Sequence, residues 1–599
     1  MLAAVVYGRA VGHDFLFNWD DNLYVINNET IRGFSLNNLR SAFGPSSIGQ
    51  YNPLALISFM LDYTLWGLWP GGYHLTNIII HAVNGLLVYR LLWLWYGERL
   101  LCLIAAAIFL VHPVQVESVA WVSERKGLLA TLFFLLSWLE YCRYVEAGKG
   151  KGRFAYIASL TAFVLSLLAK TSGVVLPIIL LLYDLCFLPQ DRRLRWKNKL
   201  PYVAASAAFS AMELYSEMPE HGGSRAGYHG GSPLATFFTM LPVYCRYLGL
   251  LIWPAGLNIE HWPTIYRTVN ASVVGAAMLL GAVVFAGIRL YRTDRKLGFW
   301  VLFFWVGLLP VSQIVPLYLL MYEHYLYLPI IGVGALAGGG ALYLRQRLGT
   351  RYSGFLYAVL TVGLLALSIV SFQRVAVWKD SLTLWSDAAS KSPTAFRVWD
   401  VLGEAYRQDG NFDDSLRAYE RSLELNPAST DSMWALGDLH TELGNLDKGY
   451  AYLKRLLGIN PTYVKGWTSL GSNYRNRGNY VEAEKAYRHA VTLQPDAVQI
   501  IILLGKLSVL QGRFDQARDF YLQAETSGWN NAENAYRLAC TEARAGRRQE
   551  ALSWLEQALN RGYRNYDTLI SDTELSALWE EPRFNYLLAL YFPELDKER

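Results

Sequence analysis

The feature that most constrains this chain is a series of apolar stretches, about 16 to 22 residues each, that recurs up to residue 375 and then stops. A helix needs roughly 20 apolar residues to cross a bilayer, so the series predicts a polytopic bundle of membrane helices. No segment after residue 375 combines that length with that hydropathy. The 599-residue chain is therefore predicted to be all-α, with a transmembrane domain at 1–375 and a water-exposed region after it.

About eleven crossings are predicted, of which the first is a partial span at the start of the chain. The full spans are expected at 74–97, 100–112, 124–145, 154–170, 172–188, 200–215, 272–290, 297–315, 326–344 and 354–373. Two further apolar segments do not fit an alternating topology. Segment 234–253 is expected to be re-entrant or interfacial, and segment 51–68 is expected to be a helix on the outer surface.

The connections between these spans predict which side each one faces. Four are rich in Lys and Arg, which is typical of the cytoplasmic side: 146–153, 190–199, 289–296 and 345–351. Alternation then puts the connections 11–73, 112–123, 216–271 and 316–325 outside, together with the C-terminal region. This topology is compatible with a multi-pass protein of a bacterial inner membrane whose C-terminal region is periplasmic. The net charge of +5 says little by itself, and no nucleic-acid partner is predicted.

A repeat of 34 residues begins at residue 396, and this is the period of tetratricopeptide repeats, or TPRs. Five repeats are predicted over 396–565, preceded by a degenerate half-unit at 376–395 and followed by a C-terminal cap at 566–599. The turn glycines that keep this period are Gly410, Gly444, Gly478, Gly512 and Gly546. TPR arrays usually bind proteins or peptides on their concave face, so we expect an acceptor or partner protein there.

The first candidate site is the pair Asp20-Asp21 in the first outer loop. Two carboxylates at a membrane surface suit a general base for an acceptor hydroxyl and an electrostatic or metal-binding partner. A helix cap or an Asx turn is the alternative interpretation of the same dipeptide.

The second candidate site is a set of cations predicted to lie outside, against the usual charge asymmetry. These cations are Arg125, Lys126 and Lys170. They predict a bound anion, such as a lipid phosphate or diphosphate that gains charge as a leaving group. Pairing with Glu124 or with lipid headgroups is the alternative. His112 and Glu117 lie in the predicted outer loop that precedes Arg125 and Lys126, and they are expected to support or orient the substrate.

The last outer loop carries Glu323, His324 and Tyr325 at the mouth of a span. These residues are expected to orient substrate or complete an acid/base set, and an aromatic belt at the membrane interface is the alternative. His221 and His229, in a glycine-rich segment, predict a metal site only weakly, and a mobile lid or a linker fits them better.

Several other classes of protein lack sequence support. The five cysteines are scattered singly, which indicates neither a disulfide framework nor a thiolate metal site. The chain has no Walker loop, Rossmann glycine fingerprint, nucleophile elbow or His-Glu-x-x-His sequence, so neither a nucleotide-driven pump nor a soluble-type hydrolase is indicated.

The order of several short motifs resembles the transmembrane and TPR-containing O-mannosyltransferases, which belong to the GT-C superfamily of glycosyltransferases. The motifs that carry this resemblance are Trp19-Asp20-Asp21, 72–77 (GYHLTN) with His81, His112-Pro113, 117–121 (ESVAW), Lys170, Tyr183-Asp184 and 323–329 (EHYLYLP), with the TPRs after them. Together they span nearly the whole chain.

The resemblance implies an inverting enzyme that takes a sugar from a polyprenyl-phosphate carrier and acts on the extracytoplasmic side. It implies that Asp20 is the catalytic base, that Asp21 supports the acceptor or a divalent metal, and that Arg125 and Lys170 contact the donor phosphate. No other cofactor is implied. Two features depart from the family: the first span is short, and His324 stands where many relatives have Arg. A protein hydroxyl of Ser or Thr is the expected acceptor, and an enzyme acting on a lipid or glycan and a non-catalytic TPR scaffold remain as alternatives.

Overall fold

A computed structural model describes residues 1–44, 50–147, 152–189, 196–216, 218 and 226–593. The predicted all-α class is confirmed, because the described residues form helices and turns and no strand. The chain divides into two compact units, Met1–Ala405 and Tyr406–Arg599. Parts of the predicted basic loops, 148–151 and 190–195, and the predicted ligand His221 lie outside the described residues.

The first unit consists of helices of very unequal length. They are α1 Leu2–Tyr7, α2 Leu36–Ala42, α3 Pro53–Trp66, α4 Pro70–Tyr96, α5 Arg99–Val111, α6 Val116–Ala120, α7 Arg125–Glu146, α8 Arg153–Ala169, α9 Leu176–Phe187, α10 Leu200–Ser216, α11 Pro233–Ile252, α12 Ala271–Thr293, α13 Arg295–Gly307, α14 Ile330–Val377 and α15 Ser381–Lys391, followed by the first part of α16 Phe396–Gln408.

Five helices of the described residues are long and apolar enough to cross a membrane. They are Pro70–Tyr96, Val122–Glu146, Pro233–Ile252, Ala271–Thr293 and Arg351–Val377. A sixth crossing results if Arg99–Val111 and Pro113–Ala120, which bend by 51° at their junction, form one span. This number is lower than the predicted count of about eleven spans. Several predicted spans form apolar helices of only 10–17 residues, which are shorter than the length required of a span.

Helix α11 meets the length requirement of a span, although its sequence was expected to be re-entrant or interfacial. The residues at its two ends contact connections that were predicted to lie on one side. His229 Nε2 lies 2.8 Å from the carbonyl oxygen of Leu317, and His112 Nε2 lies 3.1 Å from that of Leu251. Each end of α11 is therefore anchored to a connection between other helices.

The two predicted spans at 326–344 and 354–373 form one element, α14. The break between them is at Gly349, where φ is 68°. Glycine adopts this left-handed conformation without the clash that a Cβ would cause.

The second unit is a stack of helix pairs, as the 34-residue period predicted. After α16 it contains α17 Phe412–Leu425, α18 Thr430–Glu442, α19 Leu446–Ile459, α20 Val464–Asn476, α21 Tyr480–Leu493, α22 Val498–Leu510, α23 Phe514–Thr526, α24 Ala532–Arg544, α25 Arg548–Asn560, α26 Tyr566–Ser571 and α27 Pro582–Tyr591. The glycines of the five predicted turns all have a φ of 72° to 80°. Leu575 and Phe584 lie in one apolar cluster with Leu555 of the last repeat, so the C-terminal helices cover its apolar face.

Candidate active site

Asp21 fixes the connection before α2 in place. Its Oδ2 accepts a hydrogen bond from the Leu16 amide at 3.0 Å, and its Oδ1 accepts from the Ser123 amide at 2.9 Å and from the Ser123 hydroxyl. The side chain is 1% exposed. Both carboxylate oxygens are therefore committed to holding the loop against the start of α7, which indicates a positioning role.

Asp20 differs from its neighbour because its side chain is 34% exposed. Its Oδ2 lies 3.2 Å from Nζ of Lys126, which also donates to Oε1 of Gln50 at 3.1 Å and lies 4.8 Å from the ring centre of Tyr24. The Lys126 side chain is only 4% exposed. The pair thus presents a carboxylate to solvent and holds its ammonium partner underneath.

Burial raises the pKa of Asp21 from its ordinary 3.8 to about 6, although the hydrogen bonds from Ser123 and Leu16 oppose the shift. The folded protein therefore binds this proton more tightly than the unfolded chain does. Because Asn cannot titrate, we expect the wild type to gain stability relative to Asp21→Asn as the pH falls from about 7 to about 4. Melting temperatures of both proteins in detergent measure the difference, and a constant difference across this range would contradict the prediction.

Glu124 and Lys170 form a second ion pair beside the first. Lys170 Nζ lies 2.6 Å from Glu124 Oε1, and the side chains are 24% and 2% exposed, respectively. A Cβ at Gly127 would clash with the same oxygen, so glycine at this position leaves room for the carboxylate. The alternative predicted from the sequence, pairing with Glu124, is therefore realised for Lys170, whose side chain remains partly exposed.

Arg125 is fully enclosed and binds other helices. Its guanidinium forms an ion pair with Asp62 of α3, donates from Nε to the Asn77 side chain at 2.7 Å, and donates from Nη2 to the Tyr73 carbonyl at 2.6 Å. Thr76 donates to the other oxygen of Asp62 at 2.8 Å. Each of these groups is satisfied, so the geometry favours a positioning role over the predicted phosphate contact.

Asp62 was not predicted as a site residue. The sequence contained a signal, because an acid inside an apolar helix is costly unless a cation pairs with it. The matching cation, Arg125, was assigned to a phosphate instead, and this assignment left Asp62 without a role.

Glu117 holds the connection at 316–325 in place. Its Oε1 lies 2.7 Å from His324 Nδ1, and its Oε2 accepts from the amides of Glu323 at 2.9 Å and His324 at 3.3 Å. The carboxylate is inaccessible, with 0% exposure. Glu117 therefore orients the His324 ring, which also stacks on Tyr322 with 4.7 Å between ring centres.

The remaining predicted residues contact the protein itself. His112 uses both ring nitrogens, since Nδ1 accepts from the Val114 amide at 3.3 Å while Nε2 faces the Leu251 carbonyl. Glu323 accepts from the Asn258 amide at 2.5 Å and lies 3.2 Å from His261. Tyr325 packs edge-on against His324 with 4.7 Å between ring centres.

Trp121 joins these groups into one site. Its ring centre lies 6.2 Å from that of Trp19, 5.9 Å from that of His324, and 5.7 Å from Nζ of Lys126. The connections at 11–73, 112–123 and 316–325 thus meet at Trp121, which the sequence did not identify as their common contact.

The segment after the last span also reaches this site. Arg397 lies 5.2 Å from the Trp19 ring centre and 3.6 Å from Glu260, and Asn18 donates to the Val401 carbonyl at 3.0 Å. The loop that carries Asp20 is therefore held by the part of α16 that belongs to the first unit, as well as by α7.

The Asp20-Asp21 pair does not fit a divalent metal. The Asp21 oxygens already accept N–H and O–H groups, and an ammonium occupies the inner side of Asp20. Within the described part of the chain, the one group of three side chains with metal-ligating spacing is Cys540, Asp572 and Glu574 in the second unit.

Comparison with known proteins gives two kinds of match. A tetratricopeptide repeat family model matches residues 401–464 and 468–532. The chain is 25% identical over 420 residues to protein O-mannosyl-transferase TMTC3 of Homo sapiens, covering 63% of this chain and 45% of that protein. It is 25% identical over 455 residues to protein O-mannosyl-transferase F38B6.6 of Caenorhabditis elegans, covering 71% and 62%, respectively.

The chain is also similar to the crystal structure of a thermophilic TPR protein of Thermus thermophilus, at 24% identity and a TM-score of 0.27, over 31% of this chain and 99% of that one. The matched region spans about half the length of TMTC3 and somewhat more of F38B6.6. The two transferase matches and the repeat family model confirm the resemblance to O-mannosyltransferase-like TPR proteins that the motifs indicated.

Proposed function

We propose that this O-mannosyltransferase-like TPR protein is a membrane glycosyltransferase that moves a sugar from a polyprenyl-phosphate carrier to a Ser or Thr hydroxyl of a protein. The observation that carries the proposal is the partly exposed carboxylate of Asp20, which is held on a fixed loop and paired with the buried ammonium of Lys126. The ion pair of Lys170 and Glu124, two residues before Lys126, supplies a second cation. Two relatives that bear the name protein O-mannosyl-transferase support the acceptor class.

In this proposal Asp20 accepts the proton of the acceptor hydroxyl. The oxygen then attacks the anomeric carbon from the face opposite the phosphate, so the configuration inverts, as in a GT-C enzyme. The bond from carbon to phosphate oxygen breaks, and its electron pair leaves on the phosphate. A nearby cation stabilises that charge most where it develops.

Lys170 is the best donor-phosphate contact, because its side chain is 24% exposed whereas the side chains of Lys126 and Arg125 are 4% and 0% exposed. Lys126 contributes positive charge from beneath Asp20, and Arg125 positions the loop through Asp62. Glu117 acts indirectly by holding the His324 ring, and His324, which replaces the Arg of many relatives, orients the substrate.

A transfer assay tests the proposal. Purified protein in detergent is mixed with polyprenyl-phosphate carriers of radiolabelled mannose, glucose or galactose and with a Ser/Thr-rich peptide. We expect label in the peptide that alkaline β-elimination releases, and none in a peptide with Ala at those positions. Label that enters only lipid or glycan, or a donor that is never consumed, would contradict a protein hydroxyl acceptor.

We further propose that the catalytic loops and the TPR unit lie on the extracytoplasmic side, the periplasm of a bacterium. The basic connections at 289–296 and 345–351 support this topology, as does the convergence of the predicted outer loops. Reporter fusions after Asp294 and after Gly410 are expected to give opposite signals. The same signal from both fusions would reject the topology.

A further inference from the structure

In the TPR unit, the first helices of consecutive repeats contact each other through residues that are 31 positions apart in the sequence. Arg407 of α16 lies 2.9 Å from Asp438 of α18, which in turn accepts a hydrogen bond at 2.7 Å from Ser469 of α20. Each step is 31 residues, three fewer than the repeat period. In this first row, which consists of Arg407, Asp438 and Ser469, the carboxylate pairs with the cation and accepts a hydrogen bond from the hydroxyl.

A second row with the same spacing contains cations only. Arg475, Lys506 and Arg537 lie on α20, α22 and α24, with 31 residues between neighbours. Burial, together with the positive charges of Arg537 and Arg475, lowers the pKa of Lys506, and Glu533 opposes this shift. Lys506, in the middle of the row, is therefore close enough to Arg475 and to Arg537 to be repelled by both.

The row has little internal compensation. Arg537 pairs with Glu533 at 2.5 Å, whereas neither Arg475 nor Lys506 forms an ion pair with any carboxylate in the described ranges of the chain. Like charges held together are unfavourable unless an anion binds between them. Such a row across a binding surface therefore indicates an anionic ligand.

The extent of the row indicates the kind of anion. Neighbouring packed helices lie about 8–10 Å apart, so three helices carry the cations over roughly 20 Å. One phosphate cannot bridge that distance, whereas an extended peptide of about six residues can, at roughly 3.3 Å per residue. Arg407 contacts Glu442, which lies 35 residues further along the chain. Leu510 follows Arg475 by the same 35 residues and is 53% exposed, so it offers an apolar contact beside the cations.

We propose that Arg475, Lys506 and Arg537 form a binding row for an extended acidic peptide segment of the acceptor or of a partner protein. This inference deepens the proposed function, since it gives the chemical class of the segment that the TPR unit holds. Binding needs no sugar transfer, so the two proposals can fail separately.

Fluorescence anisotropy of the full chain in detergent tests the binding row. The probe is a labelled peptide of alternating Glu and Ser, compared with a peptide that has Gln in place of Glu. We expect preference for the acidic peptide, lost at high salt, and about tenfold weaker binding to Arg475→Glu/Lys506→Glu. Lys506→Gln is expected to give a smaller loss.

The matched control is Lys454→Glu, which reverses an exposed charge on α19 outside the row and is expected to bind as the wild type does. Melting temperatures exclude misfolding as the cause of weaker binding. Equal binding of both peptides, or equal binding by the wild type and the double variant, would overturn the proposal. The proposal would also be overturned if Arg475→Glu/Lys506→Glu still bound the acidic peptide but no longer bound anionic lipid vesicles.

Discussion

Asp20→Asn is expected to lower the turnover of sugar transfer by about 10²- to 10⁴-fold, the usual contribution of a general base. Asn has the size of Asp but cannot accept the proton of the acceptor hydroxyl. It also removes the negative partner of Lys126, which lies 3.2 Å away. The transfer assay at saturating donor measures the change as a fall in kcat rather than as a rise in KM.

Two variants separate this effect from a general disturbance of the loop. Asp14→Asn changes an exposed acid in the same segment and is expected to leave turnover unchanged. Asp21→Asn replaces one acceptor oxygen by an NH₂ donor, which then faces the N–H of Leu16 or the donors of Ser123. Because two donors face each other without an acceptor, the variant is expected to be less stable by about 1–3 kcal/mol. If Asp20→Asn transfers sugar as fast as the wild type, Asp20 is not the base.

The sequence predicted the repeat unit well because its signals are local. A turn that requires positive φ favours glycine, and glycines spaced 34 residues apart mark the turn inside each repeat. The membrane helices were harder to count. Segments such as Arg153–Ala169 are apolar but shorter than a typical span, and composition does not fix their depth in the bilayer.

Within the site, the sequence identified residue types but not their division of roles. Asp20 and Asp21 are adjacent and chemically equal, and only burial distinguishes the exposed carboxylate from the enclosed one. The partners of Glu117 and Arg125 lie 207 and 63 residues away along the chain. Such pairings depend on how the helices pack, and one sequence without relatives does not reveal them.

The largest expected loss of stability comes from breaking the enclosed pair of Arg125 and Asp62. Removing one partner leaves a charge without compensation in an apolar interior, which costs about 3–5 kcal/mol. Arg125→Met also frees the carbonyl of Tyr73 and the side chain of Asn77. We expect a markedly lower melting temperature in detergent and, because α3, α4 and α7 then separate more easily, a lower yield of folded protein.

The double variant Asp62→Leu/Arg125→Met shows whether the loss arises from the unpaired charge. Replacing both members of a buried pair by apolar groups is often nearly neutral, so the double variant is expected to recover much of the stability lost by Arg125→Met. Arg143→Met, on the same helix but 55% exposed, is the control and is expected to cost little. If the pair only positions the loop, a folded double variant retains transfer at a reduced rate. Complete loss of donor binding in that variant, with its fold intact, would instead support the phosphate contact first predicted for Arg125.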